Sequence, residues 1–173
     1  MAKRIVLDLD YCIGCQSCAA ACQASFHGET RIRYGDAGRD ALLPMACRHC
    51  EEPLCAAACP FDVLTVSGPE KIVAQSNFRC VGCRSCILAC PWGVIDEGLS
   101  RYITQKCNQC SDRAAKSGRS GPRCVAACAS GALKFVDETE LAKPEIARRF
   151  VSRSPFWRRS GVRTPATEKW ERP

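Results

Sequence analysis

Sixteen cysteines in 173 residues fall into four groups of four, and no other feature restricts the fold of this chain as much. Cys12, Cys15, Cys18 and Cys22 follow the spacing C-x2-C-x2-C-x3-C, and Cys80, Cys83, Cys86 and Cys90 repeat it. Cys47, Cys50, Cys55 and Cys59 keep the same plan with two residues inserted, and Cys107, Cys110, Cys124 and Cys128 keep it with a long excursion before the third cysteine. Disulfides would require an oxidising compartment. The opening stretch Met1-Ala-Lys-Arg-Ile-Val-Leu-Asp-Leu-Asp has neither the apolar segment of a secretion signal nor a twin-arginine pair, so free thiols are expected. A zinc site of four thiolates separates two C-x2-C pairs by a long spacer. Three cysteines between Cys12 and Cys18 suit a larger inorganic core, although the fourth group, read alone, is compatible with either.

The regular spacing is that of bacterial 4Fe-4S loops. A tight loop with a thiolate every third residue wraps three corners of a cubane, while its backbone N–H groups point at the sulfides. The last cysteine comes one helical turn later, after Ala19-Ala20-Ala21, Ala56-Ala57-Ala58, Ile87-Leu88-Ala89 or Val125-Ala126-Ala127, and projects toward a second cluster. Four 4Fe-4S clusters are therefore expected. Without its cysteines the chain is short of apolar material beyond Ala and Val, with six Phe, three Trp and three Tyr, so folding should depend on the inorganic cross-links. Three groups lead into a shared pattern, Cys59-Pro60-Phe61-Asp62-Val63-Leu64, Cys90-Pro91-Trp92-Gly93-Val94-Ile95 and Cys128-Ala129-Ser130-Gly131-Ala132-Leu133, each read as a turn entering a short strand. Ile5-Val6-Leu7 and Ile72-Val73 read as strands as well. The whole is an internal repeat of cluster loops, short helices and hairpins.

The runs Cys12-Ile-Gly-Cys-Gln-Ser-Cys, Cys47-Arg-His-Cys-Glu-Glu-Pro-Leu-Cys and Cys80-Val-Gly-Cys-Arg-Ser-Cys resemble the four-cluster electron-transfer subunits of molybdenum and tungsten enzymes, over residues 4 to about 136. Subunits of that family accompany dimethyl sulfoxide reductase, formate dehydrogenase, formate hydrogenlyase and carbon monoxide dehydrogenase. The resemblance implies an α+β fold of two ferredoxin-like halves with short helices, hairpins and irregular loops. The outer half would comprise residues 1–46 and 100–140, the inner half 47–99, with an extended tail at 141–173. It also implies the ligand sets Cys12, Cys15, Cys18 and Cys128; Cys107, Cys110, Cys124 and Cys22; Cys47, Cys50, Cys55 and Cys90; and Cys80, Cys83, Cys86 and Cys59, their clusters lying in a row. Gln23 and Ala129 stand where the family pattern has proline after the last ligand, which bears on the local chain path there.

Electron transfer needs no acid, base or nucleophile, so no catalytic residue is expected and the chain is read as no enzyme in itself. His49, between two ligands, is read either as a cluster-tuning hydrogen-bond partner or as a partly exposed loop residue. His27 is expected at the surface and Trp92 in packing. Arg31, Arg33 and Arg39 in the stretch 23–46 suggest a loop or hairpin resting on a partner, and 111–123 a basic surface excursion.

Residues 141–173 hold nine Lys or Arg against three Glu, hence +6 of the formal +7. With each oxidised cluster contributing about −2, the body would stand near −7 against this tail. Phe150, Phe156, Trp157 and Trp170 among the arginines give the tail an interface composition, read as a clamp on an acidic partner surface, including self-association into filaments. Nucleic-acid binding is not expected, nor is a membrane span, since no apolar run approaches the ~18 residues needed. The chain is read as a cytoplasmic relay between a catalytic subunit and a flavoprotein or other redox subunit. It looks most similar to the small subunit of bacterial tungsten aldehyde oxidoreductases. Carbon monoxide dehydrogenase, hydrogenase or formate hydrogenlyase subunits, a stand-alone shuttle and a structural assembly protein are the alternatives.

Overall fold

The β-branched and aliphatic run at the start of the chain forms β1 (Lys3–Asp8), buried along almost its whole length because it is the middle strand of a sheet ordered β6-β1-β7. The computed structural model describes residues 2–8, 11–36, 42–100, 105–112, 121–141 and 150–151. β6 (Leu133–Asp137) pairs antiparallel with β1 from Lys3↔Asp137 to Leu7↔Leu133, so the sheet ties the two ends of the cysteine-bearing body together. β7 (Phe150–Val151) lies on the other edge of β1, pairing Leu7↔Val151 and Asp8↔Phe150. Part of the segment read as a separate tail is thus a strand of the body. The rest of that segment, 142–149 and 152–173, lies outside the described residues, as do Arg39 and 113–120.

Two hairpins complete the strands. β2 (Arg33–Asp36) pairs with β3 (Leu42–Met45), and β4 (Leu64–Ser67) with β5 (Ile72–Gln75), both antiparallel. The helices are short, as four-residue spacings between ligands allow. α1 (Ser17–Ser25) packs against α5 (Arg123–Ala126), and α2 (Leu54–Ala57) against α3 (Ser85–Ala89). A 3-10 turn at Asn77–Arg79, α4 (Glu97–Ser100) and α6 (Glu138–Leu141) fill connections. Apolar side chains gather in two groups. One contains Ile5, Leu7, Phe26, Ile32 and Leu133 together with Cys18, Cys22, Cys110 and Cys124; the other contains Leu64, Val73, Ile95 and Leu99. Thiols are part of the first core and border the second, as expected of a chain short of other apolar material. Among the described residues no helix is long and apolar enough to cross a membrane.

Strands follow the cysteine groups at Leu64 and Leu133, as the shared pattern implies, but Val94-Ile95 is not a strand. Ile95 is buried all the same, while the two carboxylates after it are held in ion pairs, Asp96 with Arg33 and Glu97 with Arg84 at 3.1 Å. The chain there opens α4 instead, with Glu97 in its first turn, where the helix dipole favours an acid. The stretch 23–46 does contain a hairpin, but two of its arginines are engaged within the chain itself. Arg31 is buried over the Phe26 ring at 3.5 Å, and Arg33 is spent on Asp96.

Candidate iron-sulfur sites

One backbone device recurs in all four cysteine loops. The residue before the second cysteine has a left-handed φ: 67° at Gly14, 45° at His49, 73° at Gly82 and 57° at Gln109. Gln16 and Arg84, after the second cysteine, are left-handed too. Such turns point successive N–H groups into one concavity, which favours negatively charged sulfur. Accordingly the N–H of His49 donates to Cys47 Sγ at 3.4 Å and that of Gln109 to Cys107 Sγ at 3.5 Å. Beyond the last cysteines, Arg31 N–H donates to Cys22 Sγ and Leu133 N–H to Cys128 Sγ, both at 3.3 Å. Glycine at two of the four equivalent positions was the available signal for this turn. His49 and Gln109 hide it in the other two.

The structure brings all sixteen cysteines into four neighbourhoods. One cavity is lined by Cys12, Cys15, Cys18 and Cys128, with Leu7, Tyr34 and Leu133 around them. Another is lined by Cys59, Cys80, Cys83 and Cys86, with Phe61, Leu64 and Leu99. Cys124 lies in the electrostatic field of Cys107, Cys110 and Cys22, and Cys55 in that of Cys47, Cys90 and Cys50. The final cysteine of each group therefore stands with the first three of another, because α1 lies against α5 and α2 against α3. The neighbourhoods also lie within electrostatic reach of one another in sequence: Cys18 acts on Cys124, and Cys47 on Cys107. Among the described residues no three Cys, His, Asp or Glu close on a single point at ion-binding range; the thiols ring a space.

Burial decides the acidity of the inner thiols. It pushes Cys107 up to about 12 and Cys55 up to about 11, with nearby thiols adding to the effect, and it raises Cys124, Cys110, Cys18 and Cys86 as well. Two exposed thiols move the other way: Cys15 is lowered by the Ser17 hydroxyl and backbone, and Cys83 by the Ser85 backbone and hydroxyl. At Cys128 burial acts upward, but hydrogen bonds from Leu133, Ser130, Ala132 and Gly131 together win and lower it. The Tyr34 hydroxyl lies 3.7 Å from Cys18 Sγ and is itself raised, by burial and by that sulfur. Buried thiols of this kind ionise when a cation core takes up their charge. The surroundings suit that charge. Arg48 is buried beside Cys50 and Cys47, stacked 4.6 Å from the Trp92 ring centre, and burial drops it to about 10. Arg31 is buried beside Cys107, Cys22 and Cys110, and Lys106 beside Cys55 and Cys107. A donor set of sulfur only, N–H groups aimed at it and buried cations behind it fit iron-sulfur clusters.

His49 is not a partly exposed loop residue: it is 0% exposed, and its Nδ1 accepts the N–H of Val73 in β5 at 3.0 Å. His27 is exposed, at the end of α1. Trp92 packs beneath Arg48, as a packing residue should. Lys106, unnoticed in the sequence, is the buried cation that a polar residue beside a cysteine gives no hint of.

The 4Fe-4S dicluster domain family matches this chain over residues 39–138 and, in a second form, over 11–64. The thiosulfate reductase electron transfer subunit PhsB of Salmonella typhi is 31% identical over 93% of this chain and 87% of its own length. An iron-sulfur protein of Rhodospirillum rubrum is 32% identical over 84% of this chain and 88% of its own. UacF of Escherichia coli, named as a candidate oxidoreductase, is 33% identical over 86% of this chain, which spans only 23% of that longer protein. The chain belongs to the 4Fe-4S dicluster family, as an iron-sulfur electron-transfer protein of the oxidoreductase-subunit kind and not a catalytic enzyme in itself.

Proposed function

We propose that the chain relays low-potential electrons through four 4Fe-4S clusters, between a catalytic subunit of the molybdenum or tungsten type and a flavoprotein or other redox subunit in the cytoplasm. The ligand sets are Cys12, Cys15, Cys18 and Cys128; Cys107, Cys110, Cys124 and Cys22; Cys47, Cys50, Cys55 and Cys90; Cys80, Cys83, Cys86 and Cys59. The observation that carries this is the exchange of final cysteines, which assembles four all-sulfur neighbourhoods in succession and leaves no thiol over. Bound clusters supply one-electron exchange; the protein positions them, shields the inner pair and sets their potentials through N–H groups and buried cations. The exposed Cys15 and Cys83 belong to the two end sites, where electrons would enter and leave.

The finer reading of the catalytic partner is a tungsten enzyme that oxidises aldehydes, on the resemblance of the cysteine runs. A sulfur-oxyanion reductase partner is the second reading, favoured by the likeness to the thiosulfate reductase subunit. The +6 segment 141–173 against a body near −7 supports contact with acidic subunits, neighbouring copies included, which would build a filament. Anaerobic purification of the native complex tests the reading: about sixteen irons per chain, with tungsten or molybdenum and flavin in accompanying subunits, is the expected result. Far fewer irons, or zinc, would overturn it. Deleting 152–173 should lower the particle mass if the tail joins copies; an unchanged mass removes the filament.

A further inference from the structure

Lys106 is 7% exposed, and its ammonium donates to two neutral acceptors, the carbonyl oxygens of Val73 at 2.9 Å and Cys107 at 3.4 Å. Among the described residues no carboxylate pairs with it. An ammonium taken out of water without a counter-charge is costly, so a buried lysine implies negative charge nearby. The charge it faces is sulfur. Its two carbonyl partners set it between two neighbourhoods: Cys107 belongs to one, and the N–H of Val73 is held at 3.0 Å by Nδ1 of His49, which stands between Cys47 and Cys50 of the other. Arg31 and Arg48 differ from it in this respect. Arg31 is bonded to Asn108 and Gln105, with its own N–H on Cys22 Sγ, and so borders the Cys107 set, whereas Arg48, next to Cys47, stacks on Trp92 and borders the Cys47 set. Lys106 is also held rigidly, since its own N–H donates to Gln75 Oε1 at 3.0 Å and its ammonium to Val73, both in β5. The segment before Cys107 is thereby pinned to a strand that packs beside the other inner site.

We infer that Lys106 is a shared electrostatic element of the two inner sites, a fixed positive charge that favours the reduced state of both the Cys107/Cys110/Cys124/Cys22 cluster and the Cys47/Cys50/Cys55/Cys90 cluster. The inference rests on the four-cluster reading. Reduction adds one negative charge to a cluster, and a cation at fixed distance in a dry, weakly screening interior stabilises that added charge. Because the same ammonium serves both sites, their potentials rise together relative to the two end sites. Lys106 is a positioning and tuning residue that touches no reacting atom of a substrate.

The test is an EPR-monitored potentiometric titration of the full chain, purified anaerobically. In Lys106→Met, two of the four reduction steps should move to lower potential, the reduced-to-oxidised ratio at fixed potential falling about tenfold, or 59 mV for one electron. The other two should stay, and Lys106→Arg should keep all four near their original values. Four unmoved steps at full iron content, a shift confined to one step, or a shift spread over all four overturns the inference while leaving the four-cluster reading intact. Wild-type protein with far fewer than about sixteen irons overturns that reading itself. Should Lys106→Met not retain its iron, Gln75→Glu keeps the lysine and sets a carboxylate against the same segment. It must lower the same pair of steps, and no shift there overturns the inference.

Discussion

Gly14, His49, Gly82 and Gln109 occupy one backbone conformation, yet glycine is free there and the other two residues are not. Burial and bonding hold the costly pair: His49 through Val73, and Gln109 through a side-chain N–H to the Lys3 carbonyl at 3.2 Å. His49→Ala should therefore lose more than packing. It orphans the buried N–H of Val73 and empties a ring-sized space, for a loss of about 2–4 kcal/mol, checked by the apparent Tm and by iron retained after chelator treatment. Gly131, at φ 67°, has open space where a Cβ would go, so Gly131→Ala isolates the backbone term. The expected cost is about 1 kcal/mol, a fall in apparent Tm of about 2–4 °C, and an unchanged Tm would show that the turn relaxes without strain. Residue types and spacing in the sequence disclose every thiol. What they do not disclose is burial, because His49 is covered by a strand and Lys106 by carbonyls contributed from elsewhere in the chain.

Elements were legible where one local run decided them. Ile5-Val6-Leu7 and Ile72-Val73 become β1 and β5, since branched aliphatics bounded by polar turns leave little alternative. Val94-Ile95 has the same look but ends in Asp96 and Glu97, whose ion pairs depend on Arg33 and Arg84 from other elements. β7 was hidden for the opposite reason: two residues, Phe150-Val151, form a strand only because β1 offers an unpaired edge. Ending the chain at residue 149 should leave that edge of β1 unpaired. Greater light scattering and faster proteolysis than in the full chain are the expected results. Arg33→Ala, cutting the partly exposed link between the β2–β3 hairpin and the approach to α4, should cost no more than about 1 kcal/mol. Thermal unfolding measures it, and a far larger loss would mean the pair bears more of the fold than its exposure suggests.

Over the whole molecule, exposure is graded from the ends inward. The two exposed thiols, Cys15 and Cys83, belong to the end sites, and four of the five buried ones, Cys22, Cys47, Cys110 and Cys124, to the inner sites, Cys18 being the fifth. Controlled oxidation with ferricyanide should accordingly strip iron in two stages, the two end sites before the inner pair, followed by iron release and EPR. Simultaneous loss of all iron would contradict the gradient. The exchange of final cysteines also sets a timetable for biosynthesis. Every cysteine of the two inner-half neighbourhoods lies between Cys47 and Cys90, and the last apolar wall, Leu99, follows closely, whereas the cavity begun by Cys12, Cys15 and Cys18 is finished by Cys128, and Cys22 waits for Cys107, Cys110 and Cys124. A nascent chain leaving the ribosome can close its middle long before its beginning. Its first loop remains an open claw until nearly the last of the body has been translated, so iron delivery to that end is a late, finishing act of maturation.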